Sequence, residues 1–167
     1  GLTTLANRKS FDVELARACA EADAAGQTLT LALLDIDHFK LFNDNWGHQT
    51  GDQVLRFVAS VIGRLGAPPR FSARYGGEEF AMLLPGDSAD AALALLNEIR
   101  VEISSRKLKR RSTDEDLGTV TVSAGMALRR PGETGHGLME RADAALYASK
   151  RSGRNRVTNA DTVANAA

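Results

Sequence analysis

The stretch Arg74-Tyr75-Gly76-Gly77-Glu78-Glu79-Phe80 separates two apolar runs and is the most informative part of this chain. Two glycines between strand-like runs predict a hairpin over about 70–84 with a two-residue turn, because glycine takes positive φ at both central positions without a Cβ clash. Bare backbone at Gly76 and Gly77 lets a ligand approach closely, and the two carboxylates that follow can hold a hard divalent cation. The stretch therefore predicts a hairpin whose tip is a binding site.

Helices and strands are predicted on both sides of this hairpin from hydrophobic spacing and turn residues. In chain order they are a helix at 8–25, a strand at 28–36, a helical turn at 39–43, a helix at 51–65, the hairpin, a helix at 89–106, a strand at 119–128, a helix at 138–150 and a strand at 154–158. This order indicates an α+β sandwich with a ferredoxin-like βαββαβ core, in which helices flank a mostly antiparallel sheet. The end of the first strand can then meet the hairpin tip.

Length and charge limit the possible functions. The chain has 167 residues, and its 21 basic and 21 acidic residues give a formal net charge of zero, which argues against holding long nucleic acid by bulk electrostatics. The single cysteine, Cys19, permits no intrachain disulfide, and we find no signal peptide or membrane span. We expect one domain at residues 1–158, without direct membrane contact, and a flexible tail at 159–167.

A second group of candidates follows the first predicted strand. Asp35 is in phase with the apolar residues of that strand, so it continues a buried face, where a carboxylate is costly unless it is paired or binds a cation. At the strand end Asp35 reaches the rim of the sheet, where Glu78 should also arrive. Two carboxylates and a carbonyl suit Mg²⁺, with Mn²⁺ as the alternative. Asp35 could instead cap the next helical turn, and for Asp37 a cap or turn role is favoured.

Several separate blocks resemble one known family. They are residues 2–8, 34–40, 43–52, 74–80, 119–125 and 141–156. In these blocks, and in their order, the chain resembles the GGDEF family of diguanylate cyclases, in its GGEEF spelling. That resemblance implies a cytoplasmic bacterial enzyme that condenses two GTP into cyclic di-GMP and two pyrophosphates, with Mg²⁺, as a transient antiparallel homodimer. It also implies the palm-like core of nucleotide cyclases. Because the chain begins at Gly1, we expect a sensory or regulatory domain before it, which in the parent protein could be membrane-anchored.

Roles for individual residues follow from this resemblance. The implied metal ligands are Asp35, the carbonyl of Ile36, Glu78 and Glu79. Glu78 would also take the proton of the 3′-hydroxyl, with Glu79 in support, and Lys40 would offset charge that develops on the triphosphate. Glu79 has a structural alternative: in a two-residue loop it lies opposite Arg74, and the two could form a cross-strand salt bridge.

The residues that the resemblance implies for substrate binding are Phe39, Asn43, His48, Asp52, Gly76, Gly77, Lys150 and Arg154. A carboxylate at Asp52 accepts from guanine N1–H and the exocyclic amine, a donor pair that adenine lacks, and the amide of Asn43 can donate and accept. His48 could instead order only its own loop. Lys150 and Arg154 would contact the β- and γ-phosphates, although a solvated basic helix end explains the same spacing.

One departure from the family pattern concerns regulation. Many members carry an Arg-x-x-Asp motif that binds the product and inhibits the enzyme, whereas this chain has Ala67-Pro68-Pro69-Arg70 in that window. We therefore expect no inhibition through that site. The basic run 106–111 is interpreted as a solvated loop partly neutralised by the acidic run 114–116, with an anion contact as the alternative.

Two other function classes are consistent with parts of the sequence. One is a catalytically silent receptor for a nucleotide or for cyclic di-GMP, but such relatives usually have an altered glycine-acid loop. The other is a different metal-dependent nucleotidyl transferase, one that uses ATP or a template. The Asn43 and Asp52 pair favours guanine, and the zero net charge disfavours a template.

Overall fold

The computed structural model describes residues 2–162. Its helices are α1 (Arg8–Ala25), α2 (Phe39–Trp46), α3 (His48–Leu65), α4 (Ala89–Ser105) and α5 (Gly135–Arg151). Its strands are β1 (Leu29–Ile36), β2 (Phe71–Arg74), β3 (Glu79–Pro85), β4 (Leu108–Lys109), β5 (Asp116–Gly118), β6 (Val122–Leu128) and β7 (Val157–Asn159).

Five of these strands form one mixed sheet in the order β2-β3-β1-β6-β7. The central strand β1 pairs antiparallel with β3 and β6, and β2 pairs antiparallel with β3. Strand β7 adds a parallel edge beside β6. The predicted ferredoxin-like core is confirmed, and the end of β1 lies next to the hairpin tip.

Helices cover both faces of the sheet, which explains why every residue of β1 is buried. The odd-numbered leucines of β1 pack with α1 and α5, whereas its even-numbered apolar residues pack with α3 and α4. Side chains alternate between faces along a strand. Asp35 therefore belongs to the α1 and α5 side, at the end of an otherwise apolar row.

Helix α5 lies unusually close to β6. A Cβ atom added to Gly125 would stand 2.1 Å from the backbone nitrogen of Leu146 and 2.4 Å from the carbonyl oxygen of Ala142. The hydroxyl of Ser149 donates to the Ala124 carbonyl at 2.7 Å and fastens the end of the same helix. This close packing determines where the last turn of α5 meets the end of β1.

Most predicted elements are confirmed, with shifted ends. Gly26 ends α1 in the left-handed conformation, and the Ser88 side chain caps α4 by accepting from the Ala91 amide at 3.1 Å. Helices α2, α3 and α5 are longer than predicted, and β6 and β7 start three residues later. The short hairpin β4–β5 lies inside the predicted loop between α4 and β6, where charged residues conceal the strand pattern.

The predicted two-residue glycine turn is wrong. Arg74 pairs with Phe80, so five residues separate the last partners of β2 and β3, and neither Gly76 nor Gly77 has a positive φ. The amides of Tyr75 and Gly76 both donate to the Glu79 carbonyl, at 2.7 and 3.1 Å. This shared acceptor closes a wider loop that needs no left-handed residue.

The C-terminal end is described as far as residue 162. Residues 160–162 form a helical turn, in which Asp161 pairs with Arg141 at 3.1 Å. Residues 163–167 of the predicted tail lie outside the described residues, so the flexible tail stays a prediction. Within residues 2–162, no helix combines the length and hydrophobicity needed to cross a bilayer.

We expect Gly125→Ala to destabilise the protein by about 1–3 kcal/mol or more, because the added methyl group meets rigid backbone of α5. Urea unfolding monitored by circular dichroism measures this change. Gly77→Ala is the matched control, since a Cβ atom there has no neighbour within 4 Å. Equal midpoints for the two variants would show that α5 can move away from β6 at little cost.

Candidate active site

The candidate site lies at the edge of the sheet where β1 ends beside the β2–β3 loop. Asp35 is the register partner of Glu79, and the Ile36 amide donates to the Glu78 carbonyl at 3.3 Å. The antiparallel pairing of β1 with β3 thus brings together residues that are remote in the sequence. Three carboxylates, those of Asp35, Glu78 and Glu79, face one region at this edge.

Asp35 is 7% exposed, and its two carboxylate oxygens have different surroundings. Its Oδ2 forms an ion pair with Nζ of Lys150, which projects from the last turn of α5. Its Oδ1 is buried and has no hydrogen-bond partner in the described part of the chain. A buried carboxylate oxygen without a donor is costly, so this atom is suited to a cation or a proton donor.

The pKa of Glu78 is raised to about 7, first by burial and then by the charge of Asp35, while Lys150 acts in the opposite direction. The pKa of Glu79 is also raised, by burial and then by the charges of Asp35 and Asp143. Protonated Glu78 can donate to the Asp35 carboxylate. Negative charge is therefore concentrated here beyond what Lys150 neutralises.

This donor set fits a hard divalent cation. Carboxylate oxygens are the side-chain ligands that Mg²⁺ prefers, and the unpaired oxygen of Asp35 is free to bind one. Within residues 2–162, no three His, Cys, Asp or Glu side chains form a ready-made metal site. A bound ion would thus need carbonyl, water or phosphate oxygens to complete its coordination, as Mg²⁺ commonly does.

The N-terminus of α2 opens beside this cluster. Residue His38, with φ 56°, precedes the helix, and no side chain caps its first amides. Such a helix start attracts phosphate. The side chain of Phe39 is 6% exposed and stacks on Phe42 at 6.5 Å, so only its backbone could contact a substrate. Lys40 is exposed on the first turn.

The predicted base-binding residues lie on α2 and α3. The amide oxygen of Asn43 is buried and has no hydrogen-bond partner among residues 2–162. A Cβ atom at Gly51 would stand 1.8 Å from this oxygen, so any other residue at this position would displace the Asn43 side chain. Asp52 follows on the same turn and is half-buried, whereas His48 is exposed at the start of α3.

Lys150 and Arg154 are not on a shared helical face, because α5 ends at Arg151. Arg154 instead has φ 63°, and its guanidinium folds back to donate to the Lys150 carbonyl at 3.3 Å. The two cations therefore stay near each other although the helix does not continue to Arg154. Lys150 is 33% exposed at its side chain and already paired with Asp35.

The alternative salt bridge between Arg74 and Glu79 is wrong. The guanidinium of Arg74 donates to the Gly77 carbonyl from Nε at 3.2 Å and from Nη2 at 2.8 Å. The wider loop explains this result, since it places Phe80 rather than Glu79 opposite Arg74. Arg74 thus fastens the glycine loop to its own strand and leaves Glu79 to the carboxylate cluster.

Asp37 lies in the turn between β1 and α2, as one of its two predicted roles requires, but its carboxylate does not cap the helix and is instead buried in a bridge that was not predicted. Its carboxylate accepts from the Thr121 hydroxyl at 2.6 Å, the Ser123 hydroxyl at 2.7 Å and the Asn155 amide at 3.1 Å. It joins the end of β1 to β6 and to the turn after α5. The two hydroxyls, spaced two residues apart in the strand predicted at 119–128, were the available signal.

Residues at the start of α1 hold Tyr75, the residue before the two glycines, and this contact was also not predicted from the sequence. The guanidinium of Arg8 lies 4.6 Å from the ring centre of Tyr75, whose hydroxyl donates to Asp12 at 3.1 Å. The ring of Phe11 meets the Tyr75 ring edge to face at 5.5 Å. The first turns of α1 therefore position the loop that carries Gly76.

Comparisons with known proteins agree with this geometry. A family model described as "Diguanylate cyclase, GGDEF domain" matches residues 1–156. The crystal structure of the GGDEF domain of DgcB from Caulobacter crescentus, in complex with c-di-GMP, is 72% identical with a TM-score of 0.95, covering 96% of this chain and 94% of that chain. The active GGEEF domain of a diguanylate cyclase from Vibrio cholerae is 32% identical with a TM-score of 0.85, covering 93% and 97%.

Two full-length relatives are similar over the same region. The diguanylate cyclase DgcP of Pseudomonas aeruginosa is 41% identical over 156 residues, which are 93% of this chain and 23% of DgcP. The diguanylate cyclase VdcA of Vibrio cholerae is 38% identical over 156 residues, which are 93% of this chain and 45% of VdcA. The chain thus spans less than half the length of these two relatives.

We predict that Glu78 makes the metal-free protein less stable at high pH. A carboxyl group whose pKa is raised from 4.5 to about 7 on folding binds its proton more tightly in the folded state, so its contribution is favourable at low pH and is lost as the pH rises through this window. Glu78→Gln should flatten the fall in stability between about pH 5 and pH 8. Urea unfolding across this range, in chelator-treated buffer, measures it.

Glu98→Gln on the exposed face of α4 is the control for this experiment. It removes the same charge and should keep the pH dependence of the wild-type protein. Identical pH profiles for all three proteins would contradict the raised pKa of Glu78.

Proposed function

The chain belongs to the GGDEF family of diguanylate cyclases, and from this premise we propose that it condenses two GTP into cyclic di-GMP and two pyrophosphates. The carboxylate cluster of Asp35, Glu78 and Glu79 at one sheet edge is the observation that carries the proposal. In this proposal Gly76-Gly77-Glu78-Glu79-Phe80 serves as the family's signature loop, in its GGEEF spelling. The parent protein's activity and its preceding regulatory domain are part of the same proposal.

Asp35, the Ile36 carbonyl and Glu78 would hold Mg²⁺, with Glu79 alongside. The unpaired Oδ1 of Asp35 and the raised pKa of Glu78 support this assignment, because both effects are relieved by a cation. A bound Mg²⁺ would neutralise charge on the triphosphate and polarise its phosphoryl oxygens. Mn²⁺ could replace it, since it accepts the same oxygen ligands.

The triphosphate would lie between the start of α2 and the end of α5. The uncapped amides at Phe39 and Lys40 and the side chain of Lys40 provide positive potential on one side. On the other side, Lys150 would turn from Asp35 to the phosphates, joined by Arg154. The ion pair with Asp35 keeps the Lys150 ammonium close to where the triphosphate would bind.

Guanine would lie between α2 and α3. The Asp52 carboxylate would accept from N1–H and the exocyclic amine, and Asn43 would contact the base edge with its unpaired amide oxygen. Adenine has no matching donor pair, so bound ATP would cover the Asp52 carboxylate without giving it donors, which is strongly disfavoured. His48, exposed at the start of α3, would contact guanosine from the solvent side.

Each domain would provide half of the catalytic site, so two domains must meet antiparallel. Glu78 would take the proton from the 3′-hydroxyl, as a carboxylate positioned beside a reacting hydroxyl can. The 3′-oxygen then forms a bond to the α-phosphorus of the partner's nucleotide. The bond from that phosphorus to the bridging oxygen breaks, and pyrophosphate leaves. Lys40 would offset the charge that develops.

Incubation with GTP or ATP in the presence of Mg²⁺, followed by chromatography, tests this function. We expect cyclic di-GMP from GTP and no cyclic product from ATP, because Asp52 recognises guanine donors. Glu78→Gln should lower the rate by about two orders of magnitude or more, as expected for loss of a general base. Glu140→Gln, an exposed substitution on α5, is the control. Unchanged turnover in Glu78→Gln would refute the proposed role of Glu78, and a product from ATP would refute guanine selectivity.

We further propose that the product does not inhibit through the Arg-x-x-Asp window. Ala67 and Arg70 replace its two functional residues, and Arg70 is engaged in an ion pair with Asp87 at 2.9 and 3.3 Å. Initial rates measured against added cyclic di-GMP should show only competition with GTP. Noncompetitive inhibition, which persists when the GTP concentration is raised, would overturn this prediction.

A further inference from the structure

A cleft between α3 and the β4–β5 hairpin lies outside the candidate active site. Its volume is about 530 Å³, and Gln53, Phe57 and Ser60 of α3 form one wall. The opposite wall is the start of the hairpin, 106–111. Five cationic side chains line this basic cleft: Arg56, Arg106, Lys107, Lys109 and Arg111.

None of the five forms an ion pair with an acidic residue among residues 2–162. The nearest acids along the hairpin are engaged elsewhere: Glu115 pairs with Arg110 at 3.4 Å, and Asp116 accepts from the Gly118 amide at 2.8 Å. The acidic run 114–116 was expected to neutralise the basic run 106–111, but within the described residues it forms an ion pair only with Arg110. The basic cleft keeps its positive charge in a protein whose net charge is zero.

The cleft is held in shape by specific contacts. The side chain of Gln53 donates to the Lys109 carbonyl at 2.7 Å and accepts from the Arg111 amide at 3.2 Å, so it fixes the hairpin to α3 from both sides. Leu108, the residue before Lys109, is buried. The guanidinium of Arg106 lies over the Phe57 ring at 5.5 Å. These contacts hold the backbone of residues 106–111 in a fixed position. A solvated loop without a binding role would not need such contacts.

Five like charges around one concave surface repel each other, and a bound anion relieves that repulsion. Guanidinium and ammonium groups together bind phosphate oxygens, and a cleft of about 530 Å³ lies within the range of small-molecule sites. We propose that the basic cleft binds a soluble anion of nucleotide size that carries two or more phosphate groups. A concave site of this size favours a soluble ligand over a membrane surface.

This inference goes beyond the proposed function and is independent of it. None of the residues that line the basic cleft belongs to the carboxylate cluster or to the proposed phosphate contacts at Lys40, Lys150 and Arg154. Binding in the cleft can therefore be tested without turnover and without a divalent cation.

Titration with inorganic tripolyphosphate in chelator-treated buffer, followed by NMR of the backbone amides, tests the site. We expect saturable shifts at residues 53–60 and 106–111, and calorimetry should give a dissociation constant that weakens with added NaCl. Arg106→Ala/Lys109→Ala should weaken binding at least roughly tenfold, since two charge-assisted contacts are lost. Arg56→Gln/Arg111→Gln should do the same and leaves the Arg106–Phe57 contact intact.

Lys9→Ala/Arg130→Ala removes the same charge outside the basic cleft and is the matched control, with an expected change under about twofold. Shifts confined to the active-site residues, or equal losses in cleft and control variants, would overturn the proposal. A flotation assay with phosphatidylglycerol vesicles distinguishes lipid from soluble phosphate. Vesicle binding without tripolyphosphate binding would also refute it.

Discussion

Repulsion among carboxylates at one end of the sheet is the constraint on which the rest of this structure depends. Pairing of β1 with β3 places Asp35 beside the segment Glu78-Glu79, and burial there raises the pKa of both glutamates. Lys150 offers partial compensation. Its reach depends on the close approach of α5 to β6 over Gly125, so a single small residue in the sheet helps to position the charge that stabilises the cluster.

Such a cluster is a poor arrangement for stability alone. An apolar residue at Asp35 would continue the row of leucines that packs beneath α1 and α5, and it would need no counter-ion. Local conflicts of this kind are expected at functional sites, where stability is given up for chemistry. In the proposed function the same atoms that repel one another without a ligand bind the cation and activate the 3′-hydroxyl. Lys150 then exchanges one anionic partner for another.

Long-range hydrogen bonds keep this edge of the sheet in place. Asp37 joins the end of β1 to β6 and to the turn that follows α5, while Tyr75 is held by the first turns of α1. These contacts link the two strand ends, both flanking helices and the glycine loop into one unit. Preorganised support of this kind is what a catalytic site needs to hold its groups in productive geometry.

The sequence by itself determined the order of the helices and of the five strands of the main sheet, the burial of β1 and the residue types at the candidate site, because hydrophobic period and glycine-acid patterns are local signals. Only the tertiary structure decided the width of the glycine loop, the partner of Arg74, the bridging role of Asp37 and the pairing of Lys150 with Asp35. Each of these depends on strand register or on a helix end, and a shift of one residue there changes which side chains meet. The basic cleft belongs to the second group as well, since whether the cations at 106–111 are neutralised depends on how the hairpin folds against α3.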